Sequence, residues 1–267
     1  MTTASVPVAV DVHPFFDATM ALIQDRTVDR AREAEELART RLEECPDDPD
    51  AEAVLGFLAL RRGFPTEAVW LFERATAADP SQAVWQYGLA LGYRLTERAE
   101  DSVAAFRRSL DLNPRDLDVW NDLAVMLRDL GYPHKALTVF NKLVELKPTH
   151  AGAIRRTGTC YEKAGNLDQA EEFYCKAIEV KPDYVEAFIN LGGIFEARGR
   201  MNEALESYRT AIGLKEDFAP AHGALGMALA GLGRRDEAIP ELERAIELYP
   251  WYADVHRTLM ELGHRWS

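Results

Sequence analysis

The chain lacks the short motifs that usually announce catalysis. It has no G-x-G-x-x-G, phosphate-binding loop or G-x-S-x-G, and no H-E-x-x-H or C-x-x-C. An enzyme reading has no residue to rest on, and no cofactor or metal is expected. Cysteine is scarce: three in 267 residues, an odd count that argues against a disulfide framework and fits a reducing, cytoplasmic setting. No apolar run approaches the roughly 18 residues needed to cross a bilayer, so membrane insertion is not expected. Positive charge is in deficit, with 31 Lys and Arg against 44 Asp and Glu and a net charge of -13. An acidic body repels phosphates, which disfavours nucleic acid as a partner but leaves room for a local basic groove. Residues 1–14 carry no Lys or Arg, so they make a poor secretory signal, and they show no helical periodicity. They are expected to form an extended or disordered leader.

What is present is a period. Prolines fall at 46, 80, 114, 148, 182 and 250, all in steps of 34 or its double, with Glu216 in the missing slot. Other positions keep the same register. Twelve residues before each slot stand Ala34, Ala68, Ser102, Ala136, Ala170, Ala204 and Ala238. Eight before stand Ala38, Phe72, Phe106, Phe140, Tyr174, Tyr208 and Leu242. A Leu followed by a small residue recurs at 55–56, 89–90, 123–124, 191–192 and 225–226, with Thr157-Gly158 as the variant. Each repeat reads as two helices. The first ends at Gly63, Gly131, Gly165, Gly199 or Gly233, where glycine allows a left-handed cap. Glu97 holds that slot once, which predicts a turn made differently there. The second helix carries the alanines and the aromatic on one face and ends before the proline.

This pattern resembles the tetratricopeptide repeat, a 34-residue helix–turn–helix unit. The resemblance covers six repeats, 49–82, 83–116, 117–150, 151–184, 185–218 and 219–252. It implies an all-α, right-handed solenoid. Residues 15–48 read as a degenerate first repeat and 253–267 as a C-terminal capping helix, since each repeat buries its core only against neighbours. His222 and His256 occupy a packing slot held by Trp120 and Phe188 in other repeats, and read as structural.

The resemblance further implies a concave, peptide-binding groove lined by the first helices. The expected lining is an apolar wall of Val54, Phe57, Tyr87 and Leu91, then Asn121, Asp122 and Arg128, then Arg155, Arg156, Thr159, Glu162 and Lys163, then Asn190 and Glu196. Gly223, Ala224, Met227 and Gly231 leave the far end shallow. Arg155 and Arg156 are the sharpest feature. Either they pair with a carboxylate of a partner, or they neutralise Asp122 and Glu162 of their own chain. Asn121 and Asn190 are expected to bond a peptide backbone. The order of Lys and Asn that some relatives use to grip acidic chaperone tails is not matched, nor is an asparagine ladder. The implied function is a non-enzymatic interaction module, an adaptor, assembly factor or scaffold, for a protein or peptide partner with an acidic group. Two alternatives are a self-assembling scaffold that lays residues 6–16 in a neighbour's groove, making a homo-oligomer, and an accessory subunit that presents substrates to a separate enzyme.

Overall fold

Prolines and short polar side chains set where helices begin. Pro49, Pro65 and Pro133 each open a helix, where the missing N–H costs nothing. The Asp48 carboxylate accepts from the Ala51 N–H at 3.0 Å and caps the first of these. The computed structural model describes residues 14–24 and 28–263. Among them the regular elements are all helices, in the order α1 (Pro14–Gln24), α2 (Val28–Glu44), α3 (Pro49–Arg62), α4 (Pro65–Ala78), α5 (Ala83–Leu95), α6 (Ala99–Leu112), α7 (Leu117–Asp129), α8 (Pro133–Leu146), α9 (Ala151–Lys163), α10 (Leu167–Val180), α11 (Val185–Ala197), α12 (Met201–Leu214), α13 (Ala219–Gly231), α14 (Arg235–Leu248) and α15 (Ala253–Glu261). The chain divides into two compact units, 1–119 and 120–267.

The turn inside each pair is built one way. At Gly63 (φ 80°) the next N–H, that of Phe64, bonds back to the Ala59 carbonyl at 2.9 Å. Gly131, Gly165, Gly199 and Gly233 repeat that geometry. Glu97 corrects an expectation, because its turn is not made differently. It takes φ 61°, and the Arg98 N–H bonds to the Tyr93 carbonyl at 2.9 Å. Helix pairing therefore imposes the left-handed conformation on a residue that bears the steric cost.

In the N-terminal unit, Ala68, Phe72 and Ala75 are fully buried. The Phe72 ring lies between two helices that offer glycine. A Cβ at Gly88 would stand 2.4 Å from Phe72 Cζ, and one at Gly56 would stand 2.9 Å from it. Helix α1 packs on α2 and α3. Its Phe16 is buried, 6.2 Å from the Phe57 ring and 6.0 Å from that of Trp85. Phe16 was expected to end an extended segment that docks on a neighbouring molecule. It is instead helical and packed within its own chain, because Phe57 and Trp85 offer it apolar cover. Pro14 already belongs to this helix, and residues 1–13 lie outside the described residues.

In the C-terminal unit the same wedge recurs with Tyr174 and Tyr208, both buried. A Cβ at Gly192 would stand 2.4 Å from the Tyr208 ring. Helix α15 buries Val255 and Leu259 completely against α13 and α14. Residues 264–267 are not among those described. Pro240 lies inside α14, an exception to the rule that proline ends helices here.

Candidate functional site

The first helices of the C-terminal unit, α9, α11 and α13, lie side by side. They bring together most of the polar residues expected in a groove. Arg155 donates through Nε to the Tyr184 hydroxyl at 2.9 Å and through Nη1 to Asn190 Oδ1 at 3.3 Å. Arg156 donates through Nη1 to Asn121 Oδ1 at 3.0 Å. Two adjacent residues on α9 thus reach in opposite directions, one to the following repeat and one to the preceding. Asn190 and Asn121 therefore present their carbonyl oxygens to the arginines, and the Asn121 amide donates to Asp122 at 3.3 Å.

Neither Arg155 nor Arg156 lies in ion-pair contact with a carboxylate of the described residues. The pair thus makes no ion-pair contact with Asp122 or Glu162, although the Asp122 charge acts on Arg156 from a distance. Other arginines of this unit are paired: Arg198 and Arg200 with Glu171 at 2.8 and 2.9 Å, Arg234 with Glu237 at 2.6 Å, and Arg128 with Asp129 at 2.7 Å. Burial, then the charge of Arg155 and more weakly that of Arg128, lowers the Arg156 pKa from its usual value, while Tyr184 and Asp122 pull the other way. The half-buried Arg156 is held by a neutral amide and opposed by the like charge of Arg155.

Two turns further along the same face stand Glu162 and Glu196. The Tyr174 hydroxyl donates to Glu162 Oε2 at 2.5 Å and lies 3.2 Å from the Thr159 hydroxyl. The Tyr208 hydroxyl donates to Glu196 Oε2 at 3.0 Å. Burial and these carboxylates push both phenol pKa values up, so the hydroxyls stay protonated donors at neutral pH. The roles of Tyr184, Tyr174 and Tyr208 were missed from sequence, yet a signal was there. Twelve residues before the aromatic slot stand Leu60, Arg94, Arg128, Glu162, Glu196 and Ala230. The slot holds tyrosine only in the two repeats that have glutamate there.

The N-terminal unit treats its expected apolar wall otherwise. Val54 has no exposed surface, because α3 is packed by α1, α2, α4 and α5, and this corrects its placement on a groove wall. Phe57 is half-buried, edge-on to Phe72 at 4.8 Å. Tyr87 and Leu91 are half-buried, with the Tyr87 ring 6.1 Å from that of Phe106. These rings are engaged in packing. His222 is buried as a packing residue, its Nδ1 2.6 Å from Glu241 Oε2 and its Nε2 2.8 Å from the Glu216 carbonyl. Cys45, Cys160 and Cys175 are all unpaired, and burial raises the thiol pKa of the last two. No described helix is long and apolar enough to cross a membrane.

Comparison with known proteins agrees with this architecture. Mouse interferon-induced protein with tetratricopeptide repeats 3 is 28% identical over 149 residues, covering 54% of this chain and 36% of that protein. The chain spans about a third or less of the length of the curated relatives it matches. Among solved structures, MamA is 25% identical with a TM-score of 0.55, covering 62% of this chain and 97% of that one. YrrB, described as a repeat protein of this kind with an unusual peptide-binding site, is 24% identical with a TM-score of 0.59, covering 69% and 95%. Family models described as tetratricopeptide repeat match residues 53–116, 87–151, 155–221 and 219–250. The chain belongs to the tetratricopeptide repeat family, whose fold serves protein–protein interaction.

Proposed function

We propose that the chain is a non-enzymatic, cytoplasmic adaptor or scaffold that holds a peptide segment of a partner protein on the first-helix face of its C-terminal unit. An acidic group of the partner would be anchored at Arg155 and Arg156. The observation that carries this reading is the arginine pair itself. It is half-buried, oriented by Asn121, Asn190 and Tyr184, and has no contacting carboxylate among the described residues. Each guanidinium keeps N–H groups that bond nothing else described, and these suit a carboxylate. The peptide-binding site named for YrrB adds support by likeness of fold.

Pull-down of partners by the full chain, beside the double variant Arg155→Glu/Arg156→Glu, tests this reading. Loss of the retained partner with an unchanged thermal melt is the expected result. Equal retention by a folded variant would remove the arginines from the site.

A further inference from the structure

We propose that the segment bound on this face is dipolar. It places an acidic side chain at Arg155 and Arg156, and a basic side chain at Glu162 and Glu196. The inference rests on the groove reading above and names what the groove selects. Seven residues separate Arg155 from Glu162 on α9, which is about 10 Å along a helix axis. That is too far for the two charges to pair. Neither glutamate has a contacting cation among the described residues, just as neither Arg155 nor Arg156 has a contacting anion. Charges of both signs therefore stand unneutralised on one face, in a unit whose other arginines mostly find a carboxylate.

The acidic end is built as deliberately as the basic one. Tyr174 and Tyr208 pass their rings through the packed layer, and each ends on a groove carboxylate at 2.5 and 3.0 Å. A hydroxyl orients a carboxylate without cancelling its charge. The floor between the two ends is low. At Gly193 an added Cβ would meet only the Tyr208 hydroxyl, at 4.0 Å. Net charge favours the same ligand. A body of charge -13 repels a uniformly acidic peptide, whereas a dipolar one approaches without that cost. The matched segment carries an acidic and a basic side chain whose charged tips stand about 10 Å apart, with small or polar residues between.

The test uses the full chain and three sets of short synthetic peptides, bearing an acidic–basic pair, acidic residues alone, or neither, with binding followed by fluorescence anisotropy. Dipolar peptides are expected to bind about tenfold more tightly than acidic-only ones, the gain of one well-placed charged contact. Glu162→Lys/Glu196→Lys should reverse that preference, and the milder Glu162→Gln/Glu196→Gln, which keeps the tyrosine contacts in neutral form, should erase it. If acidic-only peptides bind as well as dipolar ones, are untouched by the glutamate variants and are still lost in Arg155→Glu/Arg156→Glu, the dipolar inference fails and the groove reading survives. If no peptide set binds, or the arginine variant changes nothing, both fail.

Discussion

The aromatic slot of the second helix holds Phe72 and Phe106 in the N-terminal unit, whereas the C-terminal unit follows Phe140 with Tyr174 and Tyr208. All five rings are buried and do the same packing work. The two tyrosines differ by one oxygen, and that oxygen crosses the helix layer to hold a carboxylate on the opposite face. The charges follow the same division. In the N-terminal unit buried carboxylates are answered from within, as when Arg74 meets Glu52 at 2.5 Å and Arg41 meets Asp48 at 2.7 Å. In the C-terminal unit Arg155, Arg156, Glu162 and Glu196 have no charged contact among the described residues. One repeat pattern thus carries two charge arrangements: buried carboxylates met by arginines in the N-terminal unit, and a first-helix face in the C-terminal unit whose charges meet neutral partners.

The largest test of this contrast concerns what the two units share. Phe72→Ala and Tyr208→Ala should each cost about 3–5 kcal/mol in chemical denaturation, since both empty a wedge between tightly packed helices. A much smaller loss in either would show that the units are not packed alike. Tyr174→Phe keeps the wedge and removes the oxygen. It should cost about 1 kcal/mol and shift the Glu162 carboxylate resonance in NMR, while Arg155 keeps its contacts. Glu97→Gly relieves a left-handed conformation and should stabilise the N-terminal unit by about 1 kcal/mol, read as a raised unfolding midpoint.

Glu35 offers a pH test confined to the N-terminal unit. Its hydrogen bond from Arg62, with that of Arg39 and the attendant charges, lowers its pKa to about 2 against the opposing effect of burial. A carboxyl with a depressed folded pKa stabilises above the unfolded value of about 4.5. That contribution is lost as pH falls toward about 2. The exposure of both arginines keeps it small, so Glu35→Gln should cost about 0.5 kcal/mol at pH 7 and nothing near pH 2. A comparably small effect on stability is expected at Arg156. Arg156→Met removes a half-buried charge without an ionic partner in contact, so stability should change by less than about 1 kcal/mol while partner binding falls sharply. A large loss of stability there would make Arg156 structural and break the contrast.

Much of the fold was legible because the repeat is local. The alanine and aromatic slots, the glycine turns and the Leu-small pairs lie within one 34-residue window, and each reports a buried or left-handed position directly. Glu97 escaped because the turn is enforced by the pairing of α5 with α6 and not by residue preference. The site was legible in part. Arg155, Arg156, Asn121 and Asn190 were named, but Val54 was placed on a wall that neighbouring helices close. The role of Tyr174 and Tyr208 lay in a joint change at two slots, which is invisible when each slot is read alone.

By itself the sequence determined an all-helical stack with its period, its buried set and its register, because each repeat can bury its apolar face only against copies of the same pattern. Only the tertiary structure decided which charges are answered. The oxygens that orient Arg155 and Arg156 come from Asn190 and Asn121, each 35 residues away in a neighbouring repeat. Contacts between side chains on separate helices depend on how those helices cross, and no period within one repeat encodes that.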